Sequence, residues 1–252
     1  MLLEFFEYLL TPCPALARRA GLKREAVAIR ARHARNRPAW RPHLEASKSF
    51  MLECARRAAP QGADLAVVLG SGALLDVPLR ELAGMFGRVV LADMVHPLAA
   101  RWQARSLPGM SLVHLDVSGA LEDALAGREP GVQAGNVLPD YLDALRPDFI
   151  VSANILSQIP LAPLALLEPT KTRGLGARLV REHLSALVGA SAPACLITDT
   201  LRLGGEKPLD LLHGVELPAA PERAWTWDIA PKPEISPERD YSHRVAGLYL
   251  EK

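Results

Sequence analysis

The chain has 252 residues, 49% of them hydrophobic and 23% charged, with a net charge of +1. Those values suit a globular protein with one large domain or one domain plus an appendage, and exclude a molecule drawn as a whole to polyanions by its field. Cys13, Cys54 and Cys195 are far apart and form no CxxC pair, which sets aside a zinc ribbon or redox dithiol and suits reduced thiols in a cytoplasmic protein.

The opening MLLEFFEYLL lacks a basic start and carries Glu4 and Glu7 inside its apolar run. It reads as a short amphipathic helix docked on its own domain, rather than a signal peptide or a membrane anchor. No apolar run approaches the roughly 20 residues of a membrane helix, so no membrane partner is expected. Residues 1–60, rich in Ala, Leu, Arg and Glu, read as a helical N-terminal cap. Leu44, Met51, Ala55 and Ala58 recur at helical spacing and predict a helix over 44–58, with Pro38 and Pro42 flanking a break before it. Residues 18–48 hold ten Lys and Arg against two acids, a local charge of +8 that leaves −7 for the rest. With almost no aromatic interleaving, this is better read as a helix face pairing with the acidic body than as a nucleic-acid surface.

After residue 60 the texture changes. DLAVVLG (64–70), RVVLAD (88–93), SLVHLD (111–116), DFIVSAN (148–154) and ACLITD (194–199) are short, nearly continuous apolar runs. Between them, 78–86, 97–105 and 177–188 have helical spacing, with Gly189 at a helix C-cap position. Strands alternating with helices predict right-handed crossovers and a parallel sheet covered on both faces. AWTWDIA (224–230) and HRVAGLYLE (243–251) predict an antiparallel pair at the sheet edge. Residues 126–139 and 204–222 read as loops. The fold class is α/β: a seven-stranded, mostly parallel sheet with helices on both faces and the last strand antiparallel, in a domain over 61–252.

Ligands of such sheets bind at the carboxyl ends of the strands, beside the first one. Gly70 and Gly72 stand there, in VVLGSGALLD (67–76), where glycine permits a sharp turn and close approach to a ligand. Asp76 reads as an N-cap, with Pro78 in the first helical turn. Asp93 ends the second strand, where a carboxylate accepts from both hydroxyls of a ribose. Asp116 ends the third, where it can accept from an exocyclic amine. Each of these residues also has a plainer reading as turn or cap. The dinucleotide fingerprint GxGxxG fails at Leu75, and the phosphate loop GxxxxGK[ST] is absent.

The set of GSG at 70–72, Asp93, Asp116, SANILSQIP at 152–160 and the terminal strand pair resembles the class I (Rossmann-like) S-adenosylmethionine-dependent methyltransferases, over about 64–252. The resemblance implies a sheet order 3-2-1-4-5-7-6 and S-adenosylmethionine as cofactor. It places Gly70, Ser71 and Gly72 against the methionine part, Asp93 on the ribose, Met94 against the adenine, Asp116 and Val117 at the adenine edge, and Asn154 near the methyl group. Val68 stands where the family usually has an acid, and Leu74 where it has a third glycine. Methyl transfer requires alignment and exclusion of water more than a fixed set of catalytic groups. The strand-four end lacks [DN]PP[YF], which favours a small-molecule acceptor. His43, Asn154, Asp199 and His243 are catalytic candidates; Arg37, Trp40, Arg41 and Gln158 are substrate candidates; no metal is expected. Trp225 and Trp227 share one strand face and read as sheet-covering residues. A non-catalytic nucleoside- or S-adenosylhomocysteine-binding module, and an RNA methyltransferase guided by 18–48, are the alternatives.

Overall fold

The computed structural model describes residues 2–252, with side chains from Phe6 onward. Four helices come first: α1 (Leu2–Leu10), α2 (Ala15–Arg19), α3 (Leu22–Arg35) and α4 (Arg37–Ala58). Then strands and helices alternate: β1 (Ala63–Leu69), α5 (Leu79–Met85), β2 (Phe86–Asp93), α6 (Leu98–Arg105), β3 (Met110–His114), α7 (Leu121–Leu125), α8 (Val137–Leu145), β4 (Phe149–Ala153), α9 (Leu161–Leu166), α10 (Leu175–Gly189) and β5 (Ala194–Leu203). The chain ends in strands alone: β6 (Leu209–Asp210), β7 (Arg223–Ala230) and β8 (Tyr241–Leu250).

The sheet order is β3-β2-β1-β4-β5-β8-β7, with β6 paired to β5 off that path. β1 to β5 are parallel, and β8 enters antiparallel between β5 and β7. Leaving the short β6 aside, this is the order expected from the resemblance, with the edge pair antiparallel as the two terminal runs predict.

Both faces are covered, which is why the strands read as unbroken apolar runs. Leu65, Val67 and Leu69 point into one core with α7, α8 and α10. Ala66 and Val68 point into the other, with Phe50, Met51, Cys54 and Ala55 of α4 and Leu79 and Leu82 of α5. Each large side chain buried here contributes roughly 1.5–3 kcal/mol relative to exposure.

The structure revises several expectations. α4 shows no break at Pro42; it runs unbroken from Arg37, with Pro38 in its first turn, where the missing N–H costs nothing. Pro42 removes one helical bond, but Trp40, His43, Ser47 and Phe50 are buried on the same helix, and that packing outweighs the loss. The residues expected as the loop 126–139 include a 3-10 turn at Val132–Asn136 and the start of α8, and 204–222 contains β6. α10 extends through Gly189, one residue past the expected stop. Asp76 does not cap α5: Pro78 holds that position with no side-chain cap bond, and Asp76 turns elsewhere. No helix among the described residues is long and apolar enough to cross a membrane.

Candidate functional site at the carboxyl ends of the strands

The loop after β1 is built around two glycines in the left-handed region, Gly70 at φ 76° and Gly72 at φ 37°. A side chain at Gly70 would meet the Ala153 carbonyl oxygen and the Ile155 Cβ, each at 2.7 Å. The loop is thus pressed against the end of β4. It is also tied to β2, since the Gly70 N–H donates to the Ala92 carbonyl at 2.9 Å. Leu74, in place of a third glycine, keeps the left-handed turn at φ 58° because its side chain is buried in the α4 core.

Asp93 lies directly beside this loop. The Gly72 N–H donates to its Oδ2 at 3.0 Å and the Val95 N–H to its Oδ1 at 3.2 Å. Burial pushes its carboxyl up to about 6, against the opposing pull of those backbone donors. The Met94 N–H is a third backbone donor to this carboxylate. Beneath the loop, Ser71 Oγ and His96 Nε2 lie 3.1 Å apart, both fully buried. Burial lowers His96 to about 4, so it is a neutral buttress. Sequence reasoning missed His96, and only its position after the second strand end could have suggested it.

Asp116 is engaged by its own turn. The Ser118 N–H and hydroxyl donate to Oδ1 at 3.0 and 2.6 Å, and the Leu121 N–H donates to Oδ2 at 3.0 Å. This is the plainer, capping reading of Asp116. Val117 is buried behind it, and Met94 is half-buried, its carbonyl 3.0 Å from His114 Nδ1.

At the end of β4 a second group of residues converges. The Asn154 N–H donates to the Ile197 carbonyl at 2.9 Å, and Asn154 takes φ 50°, which asparagine tolerates. Its side-chain amide donates to Asp76 Oδ2 at 2.9 Å and lies 3.3 Å from His43 Nε2. Burial raises the Asp76 carboxyl. From β7, the Trp225 indole N–H donates to His43 Nδ1 at 3.0 Å, and Trp227 stacks on the His43 ring at 4.1 Å between centroids. Trp227 also meets His243 edge-on at 5.8 Å. His243 Nδ1 lies 3.0 Å from Asp199 Oδ2. The four catalytic candidates, scattered over 200 residues of sequence, therefore form one cluster, joined by Asp76, which the sequence had presented only as a cap.

The substrate candidates separate. Trp40 is a core residue, its indole N–H donating to the Ile229 carbonyl at 3.0 Å. Gln158 is exposed and caps locally, donating to the Asn154 carbonyl at 2.6 Å. Arg41 pairs with Glu45 at 3.1 Å on the solvent side of α4, and Arg37 is exposed nearby. Part of the basic segment pairs within the chain: Arg35 and Asn36 donate to Glu234 at 2.6 and 3.0 Å, and Arg30 pairs with Glu7. Among the described residues no cluster of His, Cys, Asp and Glu is fit to hold a metal. Two open surface clefts lie elsewhere, along α10 beside Arg181, Ser185 and Gly189.

No family model matches the chain, and no curated protein matches it in sequence. Among solved structures it is similar to the N-methyltransferase NodS from Bradyrhizobium japonicum WM9 in complex with S-adenosylhomocysteine, at 13% identity and a TM-score of 0.34, over 77% of this chain and 84% of that one. The DhpI–S-adenosylhomocysteine complex is similar at 13% identity and a TM-score of 0.38, over 90% and 96% of the two chains. The Burkholderia thailandensis 1,6-didemethyltoxoflavin-N1-methyltransferase, with its substrate and S-adenosylhomocysteine, is similar at 12% identity and a TM-score of 0.35, over 89% of each chain. The fold assignment rests on the strand order: an open α/β sheet, parallel from β3 to β5, with an antiparallel edge pair.

Proposed function

We propose that this chain binds S-adenosylmethionine at the carboxyl ends of β1, β2 and β4 and transfers its methyl group to a small-molecule acceptor. The observation that carries the reading is the Asp93 carboxylate at the end of β2, held beside the glycine loop by the Gly72 and Val95 N–H groups, at the strand end where such an acid accepts from ribose hydroxyls. Gly70, Ser71 and Gly72 would face the methionine part, and Met94 and Val117 the adenine. Asp116 would shape the adenine edge through its turn rather than by direct contact. Asn154 and Asp76 lie beyond the loop, where the methyl group and acceptor would meet.

The pairing of Arg30, Arg32 and Arg35 with Glu7 and Glu234 supports an internally paired basic face, and with it a small-molecule acceptor over RNA. Calorimetric titration with S-adenosylmethionine, with NAD as the control, tests the cofactor reading. Micromolar affinity for the first alone is expected. Asp93→Ala should weaken it about 10- to 150-fold, the equivalent of roughly 1.5–3 kcal/mol for hydrogen bonds to a charged group. Absence of binding, or unchanged affinity in the variant, would overturn it.

A further inference from the structure

Two histidines stand in the cluster beyond the loop, and their hydrogen bonds assign them opposite roles. An indole N–H can only donate. The Trp225 N–H therefore takes up the lone pair of His43 Nδ1, and the neutral His43 ring carries its proton on Nε2. That nitrogen faces the Asn154 amide at 3.3 Å. Sandwiched against Trp227 and buried, His43 is pushed down to about 3 and stays neutral. It has no lone pair to offer a ligand, and its Nε2–H meets the Asn154 Nδ2, itself a donor, so the two are in contact without a hydrogen bond.

His243 is the reverse case. A carboxylate can only accept, so the 3.0 Å contact with Asp199 Oδ2 puts the proton on Nδ1 and leaves the lone pair on Nε2. Among the described residues Nε2 has no protein partner, and it is not sealed from solvent. Asp199 is 3% exposed, and its second oxygen is buried with no partner at all among the described residues. Around His243 stand Asp199 and Arg202 on β5, the latter its own register partner, with His43 on α4 and Trp227 on β7. Asp199 lies two residues past Ile197, whose carbonyl anchors Asn154, so the pair sits at the ligand edge of the sheet.

We infer that His243 Nε2, oriented by Asp199, is the general base of the reaction, and that the acceptor is therefore a protic nucleophile, a hydroxyl or an amine N–H. The inference rests on the methyl-transfer reading above. In the step, a lone pair of the acceptor atom forms the bond to the methyl carbon as the carbon–sulfur bond breaks. The electron pair of that bond stays on sulfur, which becomes a neutral thioether. The acceptor's proton passes to His243 Nε2, giving an imidazolium beside the Asp199 carboxylate, and then to solvent. An acceptor without a proton to lose, such as a tertiary amine or a thioether, would have no use for this pair.

Two experiments test it. Long-range 1H–15N spectra of histidine-labelled protein near neutral pH read each tautomer directly and need neither cofactor nor acceptor. His243 is expected protonated on Nδ1 and His43 on Nε2, with Asp199→Asn redistributing the His243 tautomers and leaving His43 unchanged. A His243 protonated on Nε2 would overturn the assignment. The second experiment follows transfer of labelled methyl from S-adenosylmethionine to a deproteinised small-molecule extract. His243→Gln and Asp199→Asn should lower the transfer rate about 100-fold or more with calorimetric cofactor affinity unchanged, as loss of a general base requires. Retained transfer in His243→Gln, or a labelled product that is a quaternary ammonium or a sulfonium, would overturn it. Failure of the cofactor to bind would instead sink the methyl-transfer reading, leaving the tautomer result standing on its own.

Discussion

Asp93 shows how one residue can serve the fold and a ligand in opposite senses. Its carboxyl is raised from 3.8 to about 6, chiefly by burial, so the folded protein binds its proton more tightly than the unfolded chain does. The stability cost of ionising it is fully present above about pH 6 and disappears as pH falls towards 3.8. A ribose needs the ionised form, so cofactor affinity should run the other way. Titrations at stepped pH should show affinity falling about tenfold for each unit below about 6, and the Asp93→Ala variant should lose that dependence. Gly70 is constrained by geometry instead. With φ 76° and two atoms only 2.7 Å from where a Cβ would lie, Gly70→Ala has neither the backbone freedom nor the space it needs. Strain of about 1–3 kcal/mol from the left-handed residue, with overpacking of similar size, should lower the melting temperature by more than about 5 °C, roughly the shift expected from 2–3 kcal/mol in a chain of this length.

At the scale of elements, the basic helix α3 is clamped by an acid from the opposite end of the chain. Arg35 donates to both Glu234 oxygens, at 2.6 and 3.2 Å, and Asn36 adds a third bond at 3.0 Å. The Arg35 hydrogen bonds, ahead of every other cause, bring the Glu234 carboxyl down from 4.5 to about 2. A depressed acid contributes stability that is present above its unfolded value and lost as pH falls through the folded one, so this clamp should fail between about pH 4.5 and 2. Glu234→Gln should cost about 1 kcal/mol near neutral pH and flatten the acid limb of the melting curve in that window. The +8 charge of residues 18–48 suggested this kind of internal pairing, but no feature of PKPEISPERD marks Glu234 as the partner rather than Glu238. The choice is made by the path of the β7–β8 connection across α3.

For the whole molecule, the question is whether residues 1–60 form a separable cap. α4 places Phe50, Met51, Cys54 and Ala55 in the same core as Val68 of β1, Val151 of β4 and Ile197 of β5. It also brings His43 to the end of β4. We therefore expect that removing residues 1–58 leaves a chain without a cooperative thermal transition, because the α4 cover over β1, β4 and β5 would be stripped from that sheet face. Removing only 1–12 should leave a folded protein with a lower melting temperature. Circular dichroism melts distinguish the two cases.

Strand content, the parallel core and the edge pair were legible in the sequence because they are local or periodic. Runs such as DLAVVLG and DFIVSAN are apolar without alternation, which only strands covered on both faces require. The loop at 70–72 and Asp93 were legible as candidates because both sit at strand ends, where ligands of open parallel sheets bind. Other features are set by contacts between residues far apart in the chain. Asp76 reads as a cap from its neighbours, yet it faces Asn154, 78 residues away. Pro42 reads as a break, yet the packing of Trp40 and Phe50 carries the helix through it. His43 and His243 look alike in sequence, and only the Trp225 N–H on one and the Asp199 carboxylate on the other give them different protons. Composition and periodicity determined the strands, the covered parallel sheet and its edge pair. Which side chains converge at the strand ends, and which nitrogen is free to take a proton, was decided by the tertiary structure, because a hydrogen bond depends on distance in space and not on separation along the chain.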